Sequence, residues 1–67
     1  MERPRYTCYS YVYDHEFGLN TETYAKERSN NIDYFNRYKN RQNFRIVIKD
    51  RNKIVYSEID PKDLPNQ

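Results

Sequence analysis

Hydrophobic and polar residues alternate in three stretches of the chain, and this alternation predicts three β-strands. The first predicted strand runs from Arg5 to Tyr13 and contains four of the eight tyrosines. Side chains of an extended strand point alternately to its two faces. One face is therefore broad and aromatic, with Thr7, Tyr9, Tyr11 and Tyr13. The other face is mostly small, with Tyr6, Cys8, Ser10 and Val12.

The second and third predicted strands form a hairpin. They run from Asn43 to Asp50 and from Lys53 to Ile59, joined by a two-residue turn at Arg51-Asn52, where Asn tolerates a positive φ. This turn length fixes the register that we expect. It places Ile48 opposite Val55, Val47 opposite Tyr56, and Arg45 opposite Glu58.

Between the first two strands the pattern changes to a helical period. At 100° per residue, one face from Glu22 to about Lys39 carries Tyr24, Ala25, Arg28, Ile32, Phe35 and Lys39. Asn20 or Thr21 would cap this helix. Asn30-Asn31 is a weak helix former, so a kink or break there stays open. Gly18, the only glycine, lies in the preceding loop and is expected to take a conformation that other residues resist.

These elements predict a single α+β domain over residues 1–60, with residues 61–67 as a flexible tail. The expected architecture is a two-layer β-α-β-β sandwich with one helix on a three-stranded antiparallel sheet of order 1-3-2. The helix would cover one face of the sheet. The predicted core consists of Cys8, Val12, Ala25, Ile32, Phe35, Phe44, Ile46, Ile48, Val55 and Ile59.

The face of the sheet away from the helix is the predicted contact surface. Large exposed apolar patches usually mark contact sites, and Tyr and Arg are enriched at binding hot spots. We expect Tyr9→Ala or Tyr11→Ala to weaken binding by about 2 kcal/mol or more and to leave a folded monomer. The simpler alternative is that these tyrosines keep their hydroxyls in water. The predicted partner-binding residues are Tyr9, Tyr11, Tyr13, Arg45, Val47, Lys49, Ile54 and Tyr56.

Chain length favours burial of this face by a partner. A core in a chain of 67 residues rarely supplies more than about 3–5 kcal/mol of stability without a disulfide, a metal or a second subunit. One cysteine allows no internal disulfide, and one histidine makes a Cys/His zinc site implausible. The expected partners are therefore a second copy of the chain and a larger protein target.

Single-stranded RNA or DNA is the alternative partner. Bases can stack on the tyrosines of an open sheet while Arg5, Arg45 and Lys49 hold phosphates, as in RNA-recognition domains. The chain has one predicted helix where those domains have two, and it lacks their Lys/Arg-Gly-Phe-Gly/Ala-Phe signature. The predicted register also places the acidic Glu58 within this face.

A second basic surface lies at the predicted end of the helix. It could contact nucleic acid or an acidic partner, and the alternative is a solvated helix terminus. The residues of this secondary site are Arg37, Tyr38, Lys39 and Arg41.

Charge narrows the function classes without choosing one. Twelve basic and ten acidic residues give a net charge of +2, which argues against an acidic DNA mimic and falls short of the dense basic stripe of a dedicated nucleic-acid binder. No apolar run approaches the roughly 18–20 residues of a membrane span, and residues 1–20 lack the apolar segment of a signal peptide. A lone cysteine fits a reducing cytosol, so we expect a cytoplasmic protein.

No catalytic pattern stands out, so we expect neither an enzyme nor a cofactor. Asp14-His15-Glu16 reads as a solvated loop, because adjacent side chains point apart. Cys8 has no basic neighbour on its own face that would generate a thiolate, and a packing role is expected. The chain contains no glycine-rich phosphate loop, paired acids or Ser/His/Asp set.

In its general build the chain resembles small phage-encoded inhibitor proteins. The resemblance rests on size, on the Asn/Tyr/Lys-rich composition, and on the two closing strands, Phe44-Arg-Ile-Val-Ile-Lys-Asp50 and Lys53-Ile-Val-Tyr-Ser-Glu-Ile59. Many such proteins block a host enzyme or a bacterial defence complex. The resemblance thus implies an inhibitor that acts in the host cytoplasm. Together with the expected dimer and the lack of a catalytic pattern, it predicts a homodimeric, non-enzymatic inhibitor that acts sterically.

Overall fold

The computed structural model describes residues 3–64 as an antiparallel sheet of four strands. The predicted α+β sandwich is therefore wrong. The strands are β1 (Tyr6–Asp14), β2 (Gly18–Ser29), β3 (Phe44–Asp50) and β4 (Lys53–Ser57), in the order β2-β1-β3-β4. Two short 3-10 helices, Ile32–Tyr38 and Pro61–Asp63, complete the described chain.

The first half of the predicted helix is strand β2. It pairs with β1 in a ladder that joins Cys8 to Glu27 and Tyr11 to Tyr24. As an edge strand, β2 exposes most of its side chains, so its sequence lacks the hydrophobic alternation that identifies a half-buried strand. Residues 18–29 form a strand because they pair with the edge of β1 that β3 leaves free. This tertiary pairing overrides their weak helix propensity.

The second half of the predicted helix is the 3-10 helix at Ile32–Tyr38. Asn31, placed in the predicted weak point, is its N-cap, and the Asn31 side chain accepts a hydrogen bond from the Asp33 N–H at 3.1 Å. Phe35 is fully buried and Ile32 partly so. These seven residues cross one face of the sheet and cover it, as was predicted for a long helix.

Strand order and hairpin register also differ from the prediction. Strand β1 pairs with β3, the first strand of the hairpin, and not with β4. The two-residue turn is confirmed, although Arg51 (φ 58°) and not Asn52 carries the positive φ. A bulge at Val55 then shifts the pairing by one residue and joins Ile48 to Tyr56. Because of this shift of one residue, every β4 side chain after the bulge points to the face opposite to the predicted one.

The sheet packs a small hydrophobic cluster on each face. We call the face under the first 3-10 helix the helix face; its buried residues are Cys8, Phe35, Ile46 and Ile48. We call the opposite face the tyrosine face; its buried residues are Tyr11, Val47 and Ile59. Ile59 was predicted on the helix face, and Val55, predicted in the core, is 44% exposed. Both errors follow from the missed bulge.

The carboxylate of Glu58 lies on the helix-face side of the sheet, near the start of strand β3, and accepts three hydrogen bonds there. It accepts hydrogen bonds from the Ile46 N–H at 3.0 Å, the Asn40 N–H at 2.9 Å and the Tyr56 hydroxyl at 2.9 Å. Asn40 has a positive φ of 61°, which Asn tolerates better than most residues. Glu58 therefore serves the fold, and the predicted pairing of Glu58 with Arg45 does not form.

Candidate functional site

The predicted partner-binding residues do not all lie on one accessible surface. The register places Tyr9, Tyr13, Arg45, Lys49 and Ile54 on the tyrosine face. Two further residues of that face are not accessible, because Tyr11 is 1% and Val47 2% exposed. Tyr56 lies on the helix face, packed against its cluster.

The segment after β4 explains why the centre of the tyrosine face is buried. Ile59 joins the cluster with Tyr11 and Val47, and Leu64 packs against it. The 3-10 helix at Pro61–Asp63 brings Leu64 there, with the Asp60 side chain accepting a hydrogen bond from the Lys62 N–H at 3.2 Å. The chain thus covers part of its own aromatic surface with Ile59, predicted at the end of the third strand, and with Leu64 of the predicted tail. The last residues of that tail, 65–67, lie outside the described residues.

Tyr9 remains as the half-buried aromatic centre of the open part of the tyrosine face. Lysine ammonium groups from both neighbouring strands flank its ring, with Lys26 Nζ at 5.7 Å and Lys49 Nζ at 5.4 Å from the ring centre. Both distances are within the range of cation–π attraction. The ring of Tyr24, which is 50% exposed, meets Tyr9 edge-on with ring centres 5.5 Å apart. Aromatic rings and amines are therefore interleaved across three strands.

Tyr13 and Arg45 form a separate stacked pair further along the same face. The guanidinium carbon of Arg45 lies 4.2 Å from the centre of the Tyr13 ring. Arg45 Nη1 also donates hydrogen bonds to the carbonyls of Arg41 at 2.9 Å and Phe44 at 3.0 Å. Much of the hydrogen-bonding capacity of Arg45 is thus used inside the chain. Arg45 therefore has less hydrogen-bonding capacity left for a partner than the sequence-based prediction assumed.

A basic groove of about 1010 Å³ opens beside Tyr9. It lies at the end of the sheet where β1 begins, β2 ends and the β3–β4 turn projects. Among residues 3–64, five basic side chains and no carboxylate line it. The full lining is Arg3, Pro4, Arg5, Thr7, Tyr9, Lys26, Arg28, Arg51 and Asn52.

One of these basic residues is held by an ion pair at the edge of the groove. Arg5 donates from Nε at 3.0 Å and from Nη2 at 2.8 Å to the two carboxylate oxygens of Asp50. This two-point hydrogen bond lowers the pKa of Asp50 below its ordinary value. Asp50 is paired with Tyr6 in the β1–β3 ladder and so belongs to the helix face. The carboxylate therefore fixes Arg5 from outside the groove.

Charge is segregated along the sheet, which a net charge of +2 conceals. The groove end carries four of the seven arginines. Five of the ten acidic residues belong to the β1–β2 turn and bulge or to the segment after β4, which leaves the opposite end of the sheet; they are Asp14, Glu16, Glu22, Asp60 and Asp63. The carboxylates of Glu27 and Glu58 are hydrogen-bonded on the helix-face side. A ligand with many negative charges would therefore meet a locally basic surface on a nearly neutral protein.

The secondary site predicted at the helix end does not join this surface. Its residues contact other parts of the chain around the first 3-10 helix: Arg37 lies 4.4 Å over the ring of Tyr34, and Lys39 lies 4.4 Å over the ring of Tyr56. Arg41 Nε donates to the carbonyl of Arg37 at 2.9 Å.

The fourth residue of the secondary site, Tyr38, donates its hydroxyl to Glu27 at 2.7 Å. The hydroxyl of Tyr34 donates to the other oxygen of the same carboxylate. The hydrogen bond to Glu27 raises the pKa of Tyr38 to about 12, and the two hydroxyls lower the pKa of Glu27. This cluster fastens the 3-10 helix to β2 and is structural.

The groove includes residues that sequence reasoning missed. Lys26 and Arg28 were assigned to a helix, and Arg3 and Arg51 to a lead-in and a turn. The signal that could have revealed the first two is the alternation of Tyr24, Lys26 and Arg28, which places all three on one face of a strand. Nothing in the sequence joins them to Arg3 and Arg51, because four different segments meet at this end of the sheet.

Cys8 and the acidic residues offer no second chemical site. Burial raises the pKa of the Cys8 thiol to about 11, so the thiolate is scarce at neutral pH. Among residues 3–64, no three His, Cys, Asp or Glu side chains come together in a way that could hold a metal ion. None of the helices in the described part of the chain is long and apolar enough to cross a membrane.

Comparison with known proteins identifies no relative: no family model, curated protein or solved structure matches the chain. The resemblance to phage-encoded inhibitors therefore stays a prediction.

Proposed function

We propose that this protein binds single-stranded nucleic acid through the tyrosine face, with the basic groove holding the phosphates. The observation that carries the proposal is the composition of the groove, whose lining in the described part of the chain combines Tyr9 with five basic side chains and no carboxylate. Arg and Lys supply the electrostatic part of nucleic-acid binding, and phosphate is the anion that repeats along its ligand. The proposed site residues are Arg3, Tyr9, Lys26, Arg28, Lys49 and Arg51.

The position of Tyr9 favours a single strand over a duplex. Its ring lies on the sheet between two strands that carry lysines, so only a base that has left its stack can reach it. Stacking of a base on an aromatic side chain contributes roughly 1–3 kcal/mol and is tolerant of sequence. The exposed ring of Tyr24 continues the aromatic surface and offers a second stacking position.

The acidic residue that argued against nucleic acid is not on this face. The sequence placed Glu58 among the tyrosines, but its carboxylate is bonded to Ile46, Asn40 and Tyr56 on the other side of the sheet. Among the described residues no carboxylate lines the groove, and Asp50, at its edge, is neutralised by its ion pair with Arg5. This favours the nucleic-acid hypothesis over the steric inhibitor that was preferred from the sequence.

Fluorescence anisotropy with labelled oligonucleotides of about twelve nucleotides tests the proposal. We expect single-stranded RNA or DNA to bind more tightly than the duplex, and the affinity to fall with salt. About four phosphate contacts predict a slope of log K against log salt near −3, at about −0.7 per contact for single strands. A flat salt dependence or a preference for duplex would contradict the proposed site.

Matched variants separate the groove from general charge. Arg28→Gln should weaken binding and reduce the salt slope by about 0.7, because one phosphate contact is lost. Arg37→Gln removes the same charge from the opposite side of the sheet, and it should leave both quantities unchanged. Tyr9→Ala should weaken binding roughly five- to hundredfold with little change of slope, because stacking is not ionic.

A protein with an acidic surface would meet the same arginines, so the assay must distinguish the two partner classes. If no oligonucleotide binds at low salt while the protein is folded, the nucleic-acid proposal fails and an acidic protein target becomes the working hypothesis. If Arg28→Gln and Arg37→Gln weaken binding equally, the contact is a general charge effect and the groove is not the site.

A further inference from the structure

Arg5, the residue before β1, links its own segment to the two other segments that line the basic groove. Its N–H donates to the Oδ1 atom of Asn30, just after β2, at 3.0 Å. Its carbonyl accepts a hydrogen bond from the N–H of Arg51, in the β3–β4 turn, at 3.1 Å. Its side chain makes the two-point contact with Asp50 at the end of β3. One residue therefore ties the end of β2 and the turn after β3 to the start of β1.

The charged end of Arg5 is directed away from the groove. Its guanidinium carbon lies 5.2 Å from the centre of the Tyr6 ring, and Tyr6 packs against the cluster of the helix face. The carboxylate of Asp50, on the same side, already accepts hydrogen bonds from two nitrogens of that guanidinium. Arg5 thus lines the groove while its charge is compensated outside it, which makes it a poorer phosphate ligand than Arg28 or Arg51.

We propose that Arg5 and Asp50 are positioning residues of the phosphate site, which hold Arg28 and Arg51 at the groove without contacting the ligand themselves. The inference rests on the proposed function, because it concerns the same groove. Long side chains and loops that must be ordered when a ligand binds reduce its affinity, and a support that orders them beforehand removes much of this cost. The links from Arg5 reach both segments that carry these arginines.

The ion pair has a geometry that suits this role. Exposed ion pairs usually contribute little, because water screens them and both side chains lose freedom. Here the fork of Arg5 meets both carboxylate oxygens, which fixes direction as well as distance. The side chain of Asp50 is only 21% exposed, against 57% for Arg5, so the carboxylate is partly sheltered. Arg5 contacts the chain at Asp50 and at the next residue, Arg51, whose positive φ of 58° is a conformation that most residues resist.

The direction of one change in affinity separates positioning from charge. Removal of a carboxylate near a phosphate site ordinarily strengthens binding, because a repulsion is lost. Asp50→Asn should instead weaken binding of the single-stranded oligonucleotide about three- to tenfold, because Arg28 and Arg51 lose their support. The salt slope should stay that of the wild type, since the phosphate ligands are retained. Glu16→Gln, the same change of charge in the β1–β2 turn, is the control and should not weaken binding.

A second variant tests the pair without a change of charge. Arg5→Lys keeps the positive charge but loses the fork that meets both carboxylate oxygens. It should weaken binding about as much as Asp50→Asn does. The double variant Arg5→Lys/Asp50→Asn should bind no more weakly than either single variant, because all three lack the same contact. A steeper salt slope in Asp50→Asn would instead show that the released Arg5 is a phosphate ligand.

Hydrogen exchange tests the same support in the free protein. In Asp50→Asn the amide of Arg51 should exchange several-fold faster than in the wild type. The amide of Tyr13, which donates to the Asn43 carbonyl at the other end of β1, should not change. Circular dichroism must show that each variant is folded.

The outcomes distinguish this proposal from the proposed function. A wild type that binds no oligonucleotide would refute the function, and the positioning with it. If the wild type binds, tighter or unchanged binding by Asp50→Asn, or binding by Arg5→Lys equal to that of the wild type, would overturn the positioning alone. Unchanged exchange at Arg51 in Asp50→Asn would overturn it as well.

Discussion

Replacement of Tyr11 by alanine should unfold the protein, whereas the same change at Tyr9 should not. Both residues belong to the tyrosine face, but Tyr11 is 1% exposed and packs with Val47 and Ile59, while Tyr9 is half-buried beside the groove. Removal of a fully buried large aromatic side chain costs about 3–5 kcal/mol, because buried area is lost and a cavity remains. The core of a chain of this size rarely supplies more than about 3–5 kcal/mol of stability. Tyr11→Ala therefore leaves almost none.

Urea denaturation followed by far-ultraviolet circular dichroism measures this difference. We expect Tyr9→Ala to lose about 1–2 kcal/mol, in proportion to its partial burial, and to keep a clear unfolding transition. Tyr11→Phe keeps the ring and should remain folded. All variants must be compared at one protein concentration, because dimerisation would add to the apparent stability.

The two tyrosines should also separate stability from function. Tyr9→Ala should stay folded and lose affinity for single strands, and Tyr11→Phe should stay folded and keep it. If Tyr11→Ala unfolds at the same urea concentration as Tyr9→Ala, Tyr11 is not a core residue, and the covering of the tyrosine face by Ile59 and Leu64 would be refuted.

Two further predictions concern ionisable groups. The hydroxyls of Tyr34 and Tyr38 depress the pKa of Glu27, so the contribution of Glu27 to stability is present above the ordinary pKa of 4.5 and is lost as the pH falls through the lower folded-state pKa. Glu27→Gln should therefore flatten the decline of Tm below pH 4.5. A decline parallel to that of the wild type would contradict this role. With its pKa raised to about 11 from 9, Cys8 should react with a thiol reagent at pH 8 roughly a hundredfold more slowly in the native protein than in urea, and equal rates would show that the thiol is not buried.

Strands β1, β3 and β4 are the parts of the fold that were predicted correctly from the sequence. The two faces of β1, the strands β3 and β4 and their two-residue turn were all predicted, because alternation and turn residues act over a few positions. Gly18 was expected to need an unusual conformation, and its φ of 82° confirms this. The predicted helix failed because a largely exposed edge strand shows little alternation, so weak helical periodicity prevailed.

The candidate site depended on information that the local pattern does not contain. Tyr9, a predicted site residue, lines the groove, and Lys49, also predicted, flanks the Tyr9 ring. Arg3, Lys26, Arg28 and Arg51 reach the groove from three other segments. Their meeting depends on strand order, which was predicted wrongly. The bulge at Val55 had a similar effect, since one inserted residue moved Tyr56 and Glu58 away from the face where the sequence had placed them.

The sequence by itself determined which residues of β1, β3 and β4 form strands, and it determined the aromatic character of one face, because these properties follow from side-chain alternation along each segment. Only the tertiary structure decided that β2 is a strand, that the segment after β4 covers Tyr11, and that five basic residues from separate segments line one groove of a nearly neutral protein. Those outcomes depend on which segments become neighbours in space. Such contacts join segments that are distant in the chain, so the local sequence pattern of either segment does not reveal them. The site proposed here consists of such contacts.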